Sequence, residues 1–203
     1  VIRRPLIVGV TGGIGSGKSA AVDEFVRRGA AAFSADQAVH QLYGTEPVRA
    51  AVIARWGPEI CAATGEVDRS RIAAIVFSDP TELQWLEDLL HPRVAELWES
   101  WVSNQRNLSH PPRMLVAEVP LLFETGLEHR YDAVVLVTAP TEIRMQRVRD
   151  RGGHAADVSV RGGTQLPASA TASRATCVID NDGTREQLAD KVRVVMDELL
   201  GDG

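Results

Sequence analysis

A chain of 203 residues, 44% of them hydrophobic and 24% charged, has enough apolar material for one globular α/β core and no apolar run long enough to cross a bilayer. Its net charge of −5 excludes the broad basic face of a general nucleic-acid binder, while an anionic small substrate stays compatible with local basic segments. Cys61 and Cys177 lie far apart without metal-like spacing, which fits a reducing compartment and predicts two small buried apolar side chains.

The chain opens on Val-Ile-Arg-Arg-Pro, with no signal-peptide apolar region, so a cytoplasmic location is expected. Leu6 to Val10 reads as a strand that feeds Gly12-Gly13-Ile14-Gly15-Ser16-Gly17-Lys18-Ser19, the pattern of a phosphate-binding loop. Glycines allow the tight turn that aims successive N–H groups of Gly13, Ile14, Gly15, Ser16 and Gly17 into one concavity, and the following helix adds its positive N-terminal end. Lys18 would reach the β- and γ-phosphates, and the Ser19 hydroxyl is the expected oxygen ligand for Mg²⁺. The alternative, a Gly-rich turn without a ligand, is disfavoured because strand, loop and helix signals fall in register.

Lys18 to Arg28 has apolar residues at helical spacing and stops at Gly29. Ala30 to Phe33 predicts a second strand, after which Ser34-Ala35-Asp36 places a carboxylate at the strand's carboxyl end, where open parallel sheets bind ligands. Asp36 is equally placed to be the N-cap of a helix starting near Gln37. From Pro47 to Asn107 the chain is mostly helical, with breaks at Trp56-Gly57-Pro58, Ala63-Thr64-Gly65 and Ser78-Asp79-Pro80, more than a crossover between strands needs. Leu83, Leu86, Leu90, Val94, Leu97 and Trp101 predict one buried stripe, and Pro92 a kink or break beside His91.

Arg113 to Val119 is the third predicted strand, with Glu118 near its tip able to hold the water shell of Mg²⁺. Ala133 to Thr138 is a continuous apolar fourth strand. Thr141 to Arg151 is a helix whose arginines, Arg144, Arg147, Arg149 and Arg151, are read as mostly solvated. The Gly-, Ser-, Ala- and Thr-rich stretch from Gly152 to Arg174 predicts a mobile segment, with His154, Asp157, Arg161 and Gln165 its main polar groups. A short strand around Val178-Ile179 and the turn Asp180-Asn181-Asp182-Gly183 lead to a last helix from about Thr184, with Leu188, Val192, Val195, Met196 and Leu199 toward the sheet. This alternation predicts the α/β class, a doubly wound parallel sheet of about five strands.

Thr11 to Ser19, Ser34-Ala35-Asp36, Leu90-His91-Pro92, Val119-Pro120-Leu121-Leu122-Phe123-Glu124 and Val178-Ile179-Asp180-Asn181-Asp182-Gly183, in this order, make the chain resemble the dephospho-coenzyme A kinase family over nearly its whole length. The resemblance implies a P-loop NTPase fold like that of adenylate kinase, as a single domain over residues 1–203. It further implies a helical substrate-binding insertion at 47–110 and a lid at 144–175. It implies phosphorylation of the ribose 3′-hydroxyl of dephospho-CoA by ATP with Mg²⁺, in a monomer or weak homo-oligomer that engages neither nucleic acid nor membrane. The family's base falls on Asp36, with Ser34 where the family usually has another Asp, and its lid arginine falls on Arg147. Thr11, Asp36, His91, Pro120, Leu121, Leu122 and Glu124 would face dephospho-CoA, and Asn181 the adenine side of ATP. The chain departs from the family at Gly162-Gly163, which interrupts the helical Arg161-to-Gln165 stretch at a cost of about 1 kcal/mol per glycine, and at Ala175-Thr176 in place of Ala-Asp. Two other readings stand beside it: another nucleoside or metabolite kinase, and a nucleotide-binding regulatory module with impaired catalysis.

Overall fold

The computed structural model describes residues 4–120, 122–152 and 168–201. In chain order its elements are β1 (Leu6–Thr11), α1 (Lys18–Arg27), β2 (Ala31–Ser34), α2 (Ala35–Tyr43), α3 (Glu46–Trp56), α4 (Arg69–Ser78) and α5 (Pro80–Arg106). They continue with β3 (Met114–Glu118), β4 (Ala133–Thr138), α6 (Thr141–Asp150), α7 (Ala168–Ala172), β5 (Cys177–Asp180) and α8 (Arg185–Leu200). The chain forms two compact units, one from the segment up to Phe33 together with Asn104 onward, the other Ser34–Ser103.

The first unit is the sheet, in the order β2-β3-β1-β4-β5, with β1 running parallel to β3 and β4, and β4 parallel to β5. The unbroken apolar run of β4 follows from burial on both faces. Ala133, Val135 and Val137 join Val8, Val10, Met114 and Val116 in one core, while Val134 and Leu136 join Leu122 and Phe123 in the other. Phe25 of α1 and Leu188, Val192, Val195 and Met196 of α8 cover the first face, each fully buried large side chain contributing about 1.5–3 kcal/mol over exposure. The last helix starts where the sequence predicts, with Thr184 and Gln187 forming a reciprocal capping box. Because the chain returns to β3 and then crosses to β4, strand order reverses around β1. The carboxyl ends of β1, β3 and β4 therefore form the edge at which such sheets take ligands.

The second unit holds α2, α3, α4 and most of α5, with breaks near the predicted places. Its core is Leu42, Val48, Val52, Ile60, Ile72, Val76, Leu86 and Leu90. Glu82 accepts from Arg55 Nε at 2.9 Å, from the Arg55 terminal nitrogen at 2.7 Å and from Trp56 Nε1 at 2.7 Å, which pins the end of α3 to the start of α5. Three expectations change here. The helix α5 runs through Pro92 without ending, which excludes the break and leaves the kink as the form that expectation takes. Leu83 is 37% exposed and leaves the buried stripe, in which Leu86 and Leu90 stay buried. Cys61 and Cys177 are free thiols but only half-buried, each lying at an edge of its unit's core. Among the described residues no helix is long and apolar enough to cross a membrane.

Candidate active site

The loop leaving β1 is shaped by its glycines. Gly15 (φ 76°) and Gly17 (φ 95°) occupy backbone conformations that side chains disfavour, and a Cβ on Gly15 would lie 2.5 Å from the Arg144 carbonyl oxygen. Every carbonyl from Gly12 to Ser16 meets a donor of the protein. Lys18 Nζ donates to Gly12 O at 2.9 Å and Gly13 O at 3.2 Å, Arg144 Nε to Ile14 O at 2.8 Å, and one Arg147 terminal nitrogen to Gly15 O at 3.5 Å and Ser16 O at 3.2 Å. Asn181 Nδ2 also donates to Ser16 O, at 2.8 Å, and Asn181 Oδ1 accepts from the other Arg147 terminal nitrogen at 3.3 Å. With its carbonyls met by these donors and Ser16 N–H returned to Gly13 O at 3.1 Å, the loop leads into the N-terminus of α1, whose positive end favours an anion.

These bonds take Arg144 and Arg147 out of the set of solvated arginines, while Arg149 and Arg151 are exposed as expected. Arg144 and Arg147 lie three apart on the α6 face that meets the loop, and burial lowers both guanidinium pKa values, with Arg151 adding to the effect at Arg147. The spacing was visible in the sequence, whereas the neighbouring position of β4 and β1, which brings α6 over the loop, was not. Two buried polar atoms at this site have no hydrogen-bond partner among the described residues: Ser16 Oγ and the Arg144 Nη2. Both are donors, so the site fits an incoming anion. At the tip of β3 the Glu118 carboxylate accepts from the Ser19 hydroxyl at 3.2 Å, setting two hard oxygens side by side as Mg²⁺ requires.

The structure thus brings Gly13, Ile14, Gly15, Ser16, Gly17, Lys18, Ser19, Glu118, Arg147 and Asn181 together in the sheet unit, and adds Arg144. Thr11 is buried at the end of β1. Pro120 is exposed, Glu124 half-buried, and Leu122 is a core residue with no exposed surface. Leu121 and residues 153–167, which include His154, Asp157, Arg161, Gly162, Gly163 and Gln165, lie outside the described residues. In the second unit, His91 is exposed on α5, and Asp36 is exposed in the first turn of α2. The N-cap reading of Asp36 is overturned. The helix starts earlier, and the cap is Ser34, whose Oγ accepts from Gln37 N at 3.2 Å. The residue replacing the family's first Asp is therefore itself a good capping type.

The sheet order, the loop leaving β1 and the hydroxyl–carboxylate pair beside it define the α/β P-loop kinase class. A solved structure of TT1252 from Thermus thermophilus matches 97% of this chain and 99% of its own length with a TM-score of 0.79 at 35% identity. A shikimate kinase from Bacteroides thetaiotaomicron shares the fold, with a TM-score of 0.53 at 13% identity over 97% of this chain and 98% of its own. The dephospho-CoA kinase family model (CoaE) matches residues 6–187. The dephospho-CoA kinase of Chlorobaculum tepidum is 37% identical over 98% of this chain and 97% of its own length, and that of Thermobifida fusca 35% identical over 96% of each. The chain belongs to the dephospho-CoA kinase family.

Proposed function

We propose that the protein transfers the γ-phosphoryl group of ATP to the ribose 3′-hydroxyl of dephospho-CoA, giving CoA, ADP and a proton. The observation that carries this is the loop whose carbonyls from Gly12 to Ser16 all face Lys18, Arg144, Arg147 or Asn181, in a chain whose family match spans residues 6–187. Lys18 exchanges loop carbonyls for phosphate oxygens when nucleotide enters. Arg147 holds positive charge at the loop, where it offsets charge on the transferring group. Asp36 accepts the proton of the attacking hydroxyl, a role for which an exposed carboxylate free of capping duty is suited.

Ser19 is proposed as a direct Mg²⁺ ligand and Glu118 as the holder of its water shell. Bound Mg²⁺ supplies charge neutralisation at the β- and γ-phosphates. Thr11, His91, Pro120, Leu121 and Glu124 are proposed to line the dephospho-CoA side, with Leu122 shaping that segment from within the core. The 47–110 insertion would select the acceptor, and the 144–175 segment would cover the phosphates. The reaction is proposed to run in the cytoplasm, in a monomer or weak homo-oligomer. The test is ADP release with dephospho-CoA, adenosine, shikimate or gluconate as acceptor. Release with dephospho-CoA alone is expected; faster release with another acceptor overturns the substrate, and ATP binding without release overturns the kinase reading.

A further inference from the structure

We infer that Asn181 is a positioning residue, which fixes the phosphate loop and Arg147 together so that the loop's grip on a polyphosphate depends on a side chain that does not touch the nucleotide. The inference rests on the loop being the nucleotide-phosphate site. Asn181 is 5% exposed and lies just past β5, where its backbone N–H donates to Thr138 O at 2.7 Å, anchoring it to the end of β4. Its side-chain amide then divides its two ends between two partners: Nδ2 to Ser16 O at 2.8 Å, and Oδ1 to Arg147 at 3.3 Å. The opposite orientation of the amide would set oxygen against the Ser16 carbonyl and N–H against a guanidinium, two repulsions in place of two bonds, so chemistry fixes which end faces which.

The same contact explains Gly17 beyond its positive φ. A Cβ there would run into the Asn181 amide, so the loop's last glycine and Asn181 interlock. Ser16 O is shared by Arg147 and Asn181, which closes a three-cornered network of loop carbonyl, guanidinium and amide. Arg147 needs such support, because burial and the charge of Arg151 both act against its cation. An adenine contact, the role the family resemblance suggests for Asn181, would require polar groups turned to solvent. Here each end of the amide already has a partner inside the protein, and the residue is 5% exposed.

The test compares Asn181→Asp with the unaltered chain for binding of ATP and of inorganic tripolyphosphate, which has neither base nor sugar. The substitution keeps the shape and the acceptor for Arg147 but replaces the Ser16 donor with a repelling oxygen. Both affinities are expected to fall in parallel by about tenfold, the weight of one hydrogen bond to a charged network, with the ratio of ATP to GTP use unchanged. A fall for ATP with tripolyphosphate unaffected marks a base contact and overturns the inference, as does no change in either. If the Asp variant does not fold, Arg147→Lys keeps the charge but cannot span Ser16 O and Asn181 Oδ1, and the same parallel loss is required of it. An unaltered chain that binds neither probe overturns the phosphate-site reading itself.

Discussion

The Ser19 hydroxyl donates to the Glu118 carboxylate at 3.2 Å, which joins the first turn of α1 to the tip of β3 across 99 positions of sequence. Strand β3 pairs directly with β1 in parallel register, Val10 opposite Glu118, so the carboxylate is delivered beside the loop by the sheet itself. Replacing it by an amide keeps the shape and the contact with Ser19 but removes the charge. Glu118→Gln is expected to raise the Mg²⁺ concentration needed for half-maximal rate by about tenfold or more. Titrating Mg²⁺ at saturating ATP checks this, and melting temperature is expected to stay close to that of the unaltered chain.

Lys18 holds Gly12 O and Gly13 O at 2.9 and 3.2 Å, poised at the mouth of the loop. Lys18→Ala is expected to weaken ATP binding by about 10- to 100-fold, the value of a charge-assisted hydrogen bond to phosphate. Calorimetric titration with ATP reads it directly, and an unchanged affinity would remove the lysine from the site.

Asp36 and Ser34 separate catalysis from capping. Ser34→Ala deletes the acceptor for Gln37 N and is expected to cost about 1 kcal/mol, or about 2–4 °C of melting temperature, with turnover per folded molecule retained. Asp36→Asn is expected to do the reverse, lowering kcat by about 10²- to 10⁴-fold while ATP affinity and melting temperature hold. Parallel thermal and steady-state measurements on the two variants decide it.

Arg174 stands over the Phe123 ring, 5.0 Å from its centroid, and pairs with the Glu128 carboxylate, so the segment entering β5 is tied to the one following β3. That hydrogen bond holds the Glu128 pKa below its usual value of 4.5. A depressed carboxylate pKa stabilises the fold above the unfolded-state value, and this contribution is lost as pH falls through the folded value. Arg174→Ala is therefore expected to lower the melting temperature at pH 7, with the gap to the unaltered chain narrowing below about pH 4 to what the contact with the Phe123 ring contributes. Thermal scans of both proteins across pH 3 to 7 test the sign.

Much of this was legible in sequence because its causes are local or periodic. The β4 run is continuous since both faces are buried, the α8 stripe recurs at helical spacing, and the loop carries its own glycine pattern. What escaped depends on which strands become neighbours. The resemblance pointed to Arg147, but that Arg144 and Arg147 bind the loop carbonyls follows only once β4 lies beside β1 and brings α6 onto the loop. Asn181 was expected in a turn on the adenine side of ATP, and its bond to Ser16, 165 positions away, was not legible. Ser34 was passed over as a cap because Asp36, an equally good capping type, stood two residues on, and only the backbone decides where a helix begins.

Phosphoryl transfer to dephospho-CoA is read by incubating the protein with ATP, Mg²⁺ and dephospho-CoA and following the acceptor by mass spectrometry. Dephospho-CoA is expected to gain one phosphoryl group and become CoA, with one ADP formed for each. Dephospho-CoA left unaltered by protein that binds ATP would contradict it.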